Sequence, residues 1–298
     1  MMARPFVIYT ASDKKYGDFL IDHWFTSLRE NVELSQTDVR VLDYGLSTAQ
    51  RYYLEHEGVG VRRCVKDGHV AVIRFRDLAL DLENSSYQQI LAVDGGDILF
   101  QEDISELFTA NHDRFRAVNE DLISGFDMLL REEYFARETI AAIRKATALR
   151  PQINAGFLLG PRKGFLSLCD QINRLVLDKT AFGPDQLVVN KVLNERGYVA
   201  LPRDFNFVLA TSREKFFIEN GVFYAEPSRR RIAVVHNAGN WKFLRPIEDF
   251  GYGADRNHVK RDVLRTLRLL HRSNDFLYQT NGRIRRFATT ALKRAFIS

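Results

Sequence analysis

The chain has 298 residues, 45% hydrophobic and 12% aromatic, enough apolar surface for a large core in one large domain or two modest ones. Its two cysteines, Cys64 and Cys169, are too few and too far apart for a disulfide framework or a thiolate zinc site, and they imply a reducing compartment. The net charge is +5, but residues 255–298 hold eleven Lys or Arg against three Asp, a surplus of eight that leaves residues 1–254 at −3; a basic tail argues against a nucleic-acid binder over the whole length.

The first strand is predicted within a few residues of the N-terminus, at 5–10, leaving no room for the apolar core of a signal peptide. It ends in Thr10-Ala11-Ser12-Asp13, and a helix over 16–30 follows, carrying Tyr16 at its start and Phe19, Leu20, His23, Trp24 and Leu28 on one face. Asp13 and Tyr16 suit a nucleotide's ribose and base, or equally a helix cap and a core tyrosine. Strand 38–43, helix 47–55 and helix 71–83 come next, and then strand 89–94, which stops on Asp94-Gly95-Gly96-Asp97 before a strand at 97–100. Two carboxylates at a strand's carboxyl end repel unless a cation sits between them, and hard divalent ions take such oxygen ligands; Asp-Gly is also a strong turn signal. Gly95 and Gly96 would let a diphosphate approach the backbone.

A short helix is predicted at 104–109 and a strand at 115–118, and the charged stretch 119–150, with a helix over 130–147, reads as an insertion that covers a site on the acceptor side. Glu120 and Asp121 in it are nominal candidates for a general base. Strand 153–159 opens with Asn154-Ala155-Gly156, helix 162–176 follows, and helix 184–196 begins with Gly-Pro, Asp185 and Gln186, an acceptor–donor pair suited to sugar hydroxyls as well as to capping. The last strand, 231–236, delivers His236, with Gly239 and Lys242 at three-residue steps behind it. An imidazole completes a mixed oxygen–nitrogen metal site, and the glycine and ammonium suit phosphate.

These segments divide the chain into an α/β domain over 1–250 and a basic helical tail over 251–298, set off by the hinge-like Gly-Tyr-Gly at 251–253 and containing a helix at 256–272. The tail's mixture of basic and apolar residues over 256–298 suits either a cap with a solvated basic face or an anionic membrane surface.

Taken in chain order, the motifs resemble the retaining glycosyltransferases of family 8, as a divergent, bacterial-type branch over roughly residues 5 to 246. The resemblance implies a GT-A fold, a Rossmann-like single domain with a mixed, mostly parallel sheet. It implies Mn²⁺ or Mg²⁺ held by Asp94, Asp97 and His236, and a nucleotide sugar held by Thr10, Ala11, Asp13, Tyr16, Asp94, Gly95, Gly96, Gly239 and Lys242. Asp185, Gln186 and Asn154 match the family's residues around the reacting sugar. An arginine ahead of the metal strand is also expected, with Arg76 preferred and Arg74 as its competitor. Two residues separate the aspartates here where the family has one, which leaves open whether Asp94 or Asp97 is the principal ligand; Phe243 follows Lys242 where the family often has Pro-Trp.

The implied reaction moves a hexose from a nucleoside diphosphate, uridine diphosphate above all, to a glycan or glycolipid hydroxyl with retention, in the cytoplasm or at the inner face of a membrane, with no nucleic-acid partner. Two alternatives stand beside it: a sugar nucleotidyltransferase, and a non-catalytic basic module for membrane surfaces or nucleic acid.

Overall fold

The computed structural model describes residues 4–122, 129–239 and 242–280, with backbone alone for Lys242 and residues 277–280. The strands in chain order are β1 (Phe6–Ser12), β2 (Thr37–Asp43), β3 (Gly60–Arg63), β4 (Gln89–Val93), β5 (Ile98–Phe100), β6 (Arg116–Asn119), β7 (Ile153–Pro161) and β8 (Val199–Leu201). Short strands β9 (Phe207–Val208), β10 (Phe216–Glu219), β11 (Val222–Ala225), β12 (Arg230–Arg231), β13 (Val234–His236), β14 (Ile247–Glu248) and β15 (His258–Val259) follow. The α-helices are α1 (Lys14–Phe19), α2 (Thr26–Asn31), α3 (Thr48–His56), α4 (Val70–Leu82), α5 (Arg137–Thr147), α6 (Arg162–Leu175), α7 (Pro184–Arg196) and α8 (Arg261–Thr280).

Among the described residues, seven strands form the main sheet in the order β3-β2-β1-β4-β7-β6-β8. β7 alone runs against its neighbours β4 and β6; the other pairings are parallel, so the sheet is mixed and mostly parallel. β4 is buried at every position and β7 at all but its last, as continuous apolar runs covered on both faces require. Phe75 and Leu78 of α4, with Phe165 and Leu168 of α6, pack on one face. Leu20, Trp24 and Leu28 pack on the other. Trp24 is fully buried, and its truncation to alanine would cost about 3–5 kcal/mol.

The predicted 16–30 helix is α1 and α2 joined through a π-helical turn, Leu20–Phe25, which keeps Leu20, Trp24 and Leu28 on the sheet side. The 104–109 segment is a 3-10 turn, Ser105–Phe108. The 130–147 prediction holds as a helix only from Arg137; before it Leu130 and Phe135 are buried in turns, and Ile140 and Ile143 join the core that α7 also lines, so this stretch is part of the body. The short edge strands β3 and β8 and the β10–β11–β12 ribbon have no counterpart in the sequence reading. From Gly251 to Phe276 the described chain stays on the body. Tyr252 bonds Glu30 at 3.0 Å, and buried Asp275 of α8 pairs with Arg213 at 2.9 Å. Residues 281–298 of the predicted tail lie outside the described residues.

Candidate active site

Asp94 is the residue after β4, and its N–H donates to Gly156 O at 2.9 Å, carrying the β4–β7 ladder one step beyond the Val93–Phe157 pair. Asp97 is the residue before β5. The antiparallel β13–β5 register sets His236 opposite Ile98, and Asn237 N–H donates to Asp97 O at 2.9 Å, so two strand registers bring the carboxylates and the imidazole to one point. His236 Nε2 lies 3.4 Å from Asp97 Oδ1 and 3.8 Å from Asp94 Oδ2, and one ligand atom from each of the three residues falls within 4.8 Å of the others. A Cβ on Gly156 would stand 2.6 Å from His236 Cε1 and 2.7 Å from Asp94 Oδ2, so only glycine leaves room for the cluster.

A directional hydrogen-bond chain sets the imidazole. Gly156 N–H donates to Asn154 Oδ1 at 2.8 Å, which turns Asn154 Nδ2 toward Glu120 Oε1 at 2.7 Å. Asn206 Nδ2 then donates to Asn154 Oδ1 at 3.1 Å, leaving Asn206 Oδ1 as the acceptor 2.9 Å from His236 Nδ1. His236 therefore carries a proton on Nδ1 and turns Nε2 to the aspartates, the arrangement a metal-ligating histidine requires. Two carboxylates with an Nε2 acceptor fit a hard or borderline divalent ion.

Burial opposes charge at Asp94 and His236, and the neighbours decide the outcome. Burial works against the Asp94 carboxylate, but Arg74, which pairs with it, and His236 hold its pKa below the usual carboxylate range. Burial would depress the His236 pKa, but Asp97, Asp94 and Glu120 raise it. The field that draws a proton to the imidazole would draw a divalent cation to the same place.

On the other side of β7 the chemistry is that of amides. Gly183, at φ +97, ends the preceding loop, and Pro184 starts α7 without an N–H to leave unpaired. Gln186 accepts from Ala155 N–H at 2.8 Å and donates to Ile153 O at 2.7 Å; Asn190 accepts from Ile153 N–H and donates to its carbonyl, each at 2.8 Å. These amides act as a strand edge where the β6–β7 register breaks between Ala117 and Asn119. Asp185, buried beside them, has no hydrogen-bond partner for Oδ1 among the described residues, and burial raises its pKa to about 6. A cavity of about 940 Å³ joins the two sides, reached by Asp94, Asp97, His236, Asp185 and Gln186. It opens at the carboxyl ends of β1 and β4, where ligands of open α/β sheets bind.

No family model matches the sequence, and no curated protein is significantly similar to it. Solved structures do resemble it. The bifunctional glycosyltransferase WbbM superposes over 90% of this chain with a TM-score of 0.56 and 14% identity. Galactosyltransferase LgtC, solved with donor and acceptor sugar analogues, matches over 88% with a TM-score of 0.51 and 18% identity, and GlyE of Streptococcus pneumoniae over 88% with 0.51 and 17%. The fold is GT-A. The chain spans 94% of LgtC but 50% of WbbM and 59% of GlyE.

Within the GT-A fold the sequence-derived residues separate into three groups. Ala11, Asp13, Tyr16, Asp94, Gly95, Gly96, Asp97, Asn154, Asp185, Gln186, His236 and Gly239 all reach the cavity. Asp13 there caps α1 through Lys15 N–H and pairs with Lys66 at 2.6 Å. The two loop glycines answer to the protein itself: a Cβ on Gly95 would strike Thr10 Oγ1 at 2.4 Å, and one on Gly96 the Tyr16 ring at 2.9 Å.

Thr10 is packed beneath Gly95, away from the cavity wall. Arg76 is not on the cavity either, because its guanidinium is taken by Asp67 at 2.7 Å and Asp77 at 2.9 Å. The arginine at the site is Arg74, which holds Asp94 and donates to Ala155 O at 3.2 Å. The side chain of Lys242 lies outside the described residues; its backbone begins a 3-10 turn, Lys242–Leu244.

Of the two nominal bases, Glu120 lines the cavity, whereas Asp121 is bound to Arg203 and to Arg213 N–H. Sequence reading passed over Asn206 and Arg245. Asn206 carries no local signal in Arg-Asp-Phe-Asn-Phe, but Arg245 stands three residues beyond Lys242 and continues the same spacing. Leu267 and His271 of α8 also reach the cavity, on the face of the tail helix turned to the body.

Proposed function

We propose that the chain is a metal-dependent glycosyltransferase that moves a hexose from a nucleoside diphosphate, uridine diphosphate by the family resemblance, to a hydroxyl of a glycan or glycolipid, with retention at the anomeric carbon. The observation that carries this reading is the Asp94–Asp97–His236 cluster, with Nε2 turned to the two carboxylates, on a 940 Å³ cavity of a GT-A fold. Bound there, a divalent ion supplies positive charge against the diphosphate that departs with the electron pair of the glycosidic bond.

The chain's own groups prepare that event. Asp94 and Asp97 present acceptor oxygens, and the Asn206 bond keeps Nε2 of His236 turned toward them. Arg74 fixes Asp94 from behind. Asp185, with a buried oxygen lacking a partner among the described residues, is a ready acceptor for a hexose hydroxyl, which would relieve the burial of that oxygen. Gln186 and Asn154, whose amides are engaged with protein groups, hold β7 and the His236 chain in place. Gln186 is thereby assigned to positioning rather than to the oxocarbenium-like sugar itself. The acceptor's proton passes to an oxygen of the departing diphosphate, so retention needs no protein base in line with the attack.

Among the described residues no helix is long and apolar enough to cross a membrane. Work at the cytoplasmic face of a membrane, through the basic residues of 256–298, belongs to this proposal. The test is a nucleotide-sugar panel with Mn²⁺, reading release of nucleoside diphosphate. Turnover of one donor by the wild type and its loss in Asp97→Asn and His236→Ala is the expected result; equal turnover in all three proteins removes the reading.

A further inference from the structure

We infer that Arg245 is a built-in counter-cation of the Asp94–Asp97–His236 cluster, holding Asp97 in the free protein so that a divalent ion binds strongly only together with a nucleoside diphosphate. This rests on the metal-dependent reading above and concerns how that site is loaded.

Arg245 follows the 3-10 turn after β13, and each nitrogen of its guanidinium has a partner around the cluster. Nη2 pairs with Asp97 Oδ2 at 2.9 Å, Nε donates to Gly239 O at 2.8 Å, and Nη1 reaches Gly96 O at 3.4 Å. Its side chain is 12% exposed. Arg74 holds Asp94 in the same manner from the sheet side. Each carboxylate of the cluster thus already has a guanidinium. A divalent ion entering alone would stand beside those two cations, and their repulsion weakens its binding. A diphosphate entering with it offsets that repulsion and gives both the ion and a displaced guanidinium an oxygen partner. Both arginines reach the cavity, but Arg74 is buried on α4 and bonded to Ala155 O of β7, whereas Arg245 sits on the turn after β13 with only loop carbonyls, Gly239 O and Gly96 O, beside Asp97, so it is the arginine placed to exchange partners.

The experiment is Mn²⁺ binding followed by the paramagnetic resonance of the free ion, with and without uridine diphosphate, in the wild type, Arg245→Gln, Arg245→Lys and Asp97→Asn. A guanidinium about 5 Å from a divalent ion weakens its binding roughly tenfold even under the screening of water. Arg245→Gln is therefore expected to tighten Mn²⁺ binding without nucleotide about tenfold and to shrink the gain that nucleotide brings. Arg245→Lys, which keeps the charge, should behave as the wild type does, and Asp97→Asn should bind poorly under all conditions. Unchanged or weaker Mn²⁺ binding in a folded Arg245→Gln protein, or Arg245→Lys behaving like Arg245→Gln, overturns the inference and leaves the metal site standing. If the glutamine variant does not fold, a wild type that binds Mn²⁺ equally with and without nucleotide overturns it alone. No Mn²⁺ binding in the wild type even with nucleotide defeats the metal-dependent reading and this inference together.

Discussion

The two sides of β7 are built on opposite principles. On the β4 side, four charged groups, Arg74 and Asp97 buried and Asp94 and Arg245 half-buried, crowd with an imidazole around a space that glycine leaves open. On the α7 side, the amides of Gln186 and Asn190 satisfy the backbone of β7, and a single carboxylate, Asp185, is left short of partners among the described residues. The ionic side is held by charges that burial disfavours, so its residues are best explained by a ligand that the folded chain lacks. The amide side is held by hydrogen bonds that are complete without a ligand, so most of its residues are explained by folding alone. Proximity to a cavity is common to both and does not distinguish the roles.

The comparison can be broken by mutation. The largest effect is expected on the ionic side: Asp97→Asn and His236→Ala should each lower donor turnover about 10²–10³-fold, while thermal melting shows the fold retained. Next, Asn190→Ala should lower the unfolding free energy in urea by about 1–3 kcal/mol, since it strands the buried N–H of Ile153, whose carbonyl keeps Gln186, while metal affinity of the folded fraction is kept. The reverse pattern, lost metal affinity at full stability, would cancel the division drawn above.

Asp185 should behave as the exception within the amide side. Its folded pKa lies near 6, above its unfolded value, so its ionisation destabilises the fold as pH rises from about 4 through 6 and fully above that. Asp185→Asn should therefore be more stable than the wild type by about 2–3 kcal/mol in urea unfolding at pH 8, and equal to it near pH 3.5, yet raise the donor KM. No gain at pH 8 would mean that the carboxylate is already satisfied. Metal affinity should fall about tenfold per pH unit below the raised pKa of His236, because a proton and the ion compete for Nε2; a flat titration would show that the imidazole is not a ligand. The smallest effect is expected for Arg76→Ala, below about threefold on turnover, against a loss of about 10²-fold for Arg74→Ala, read in the same nucleotide-release assay.

That last pair shows where sequence stops being informative. Arg74 and Arg76 are two residues apart on α4, so they point roughly 200° apart around the helix, and either can face the metal strand until the helix is docked. Docking by Phe75 and Leu78 turns Arg74 to Asp94 and Arg76 to Asp67 and Asp77. The strand-end motifs were legible for the opposite reason. A buried strand reads as a continuous apolar run, and the polar residues that end it must emerge at the sheet's edge, which places Asp94, Asp97 and His236 without knowledge of their neighbours. The strands β3 and β8 are short and half-exposed, with neither an apolar run nor a long alternation to announce them, whereas the β10–β11 hairpin carries two short apolar runs around Asn220-Gly221, a turn signal that the sequence reading passed over. The 130–147 segment has helical periodicity throughout, but its first turns are drawn apart to bury Leu130 and Phe135.

The sequence by itself determined an α/β domain with a buried sheet, the carboxylates and histidine at its edge, and the basic character of the C-terminal region, because burial periodicity and strand ends are local properties; the GT-A layout was what the order of the motifs implied by resemblance. The tertiary structure alone decided that two registers close Asp97 on His236, that Asn206 sets the imidazole's proton, that Arg245 rather than solvent faces Asp97, and that α8 turns Leu267 and His271 to the cavity. Those are contacts between residues far apart in the chain, and their energies depend on distance and on shared burial, which no local pattern encodes.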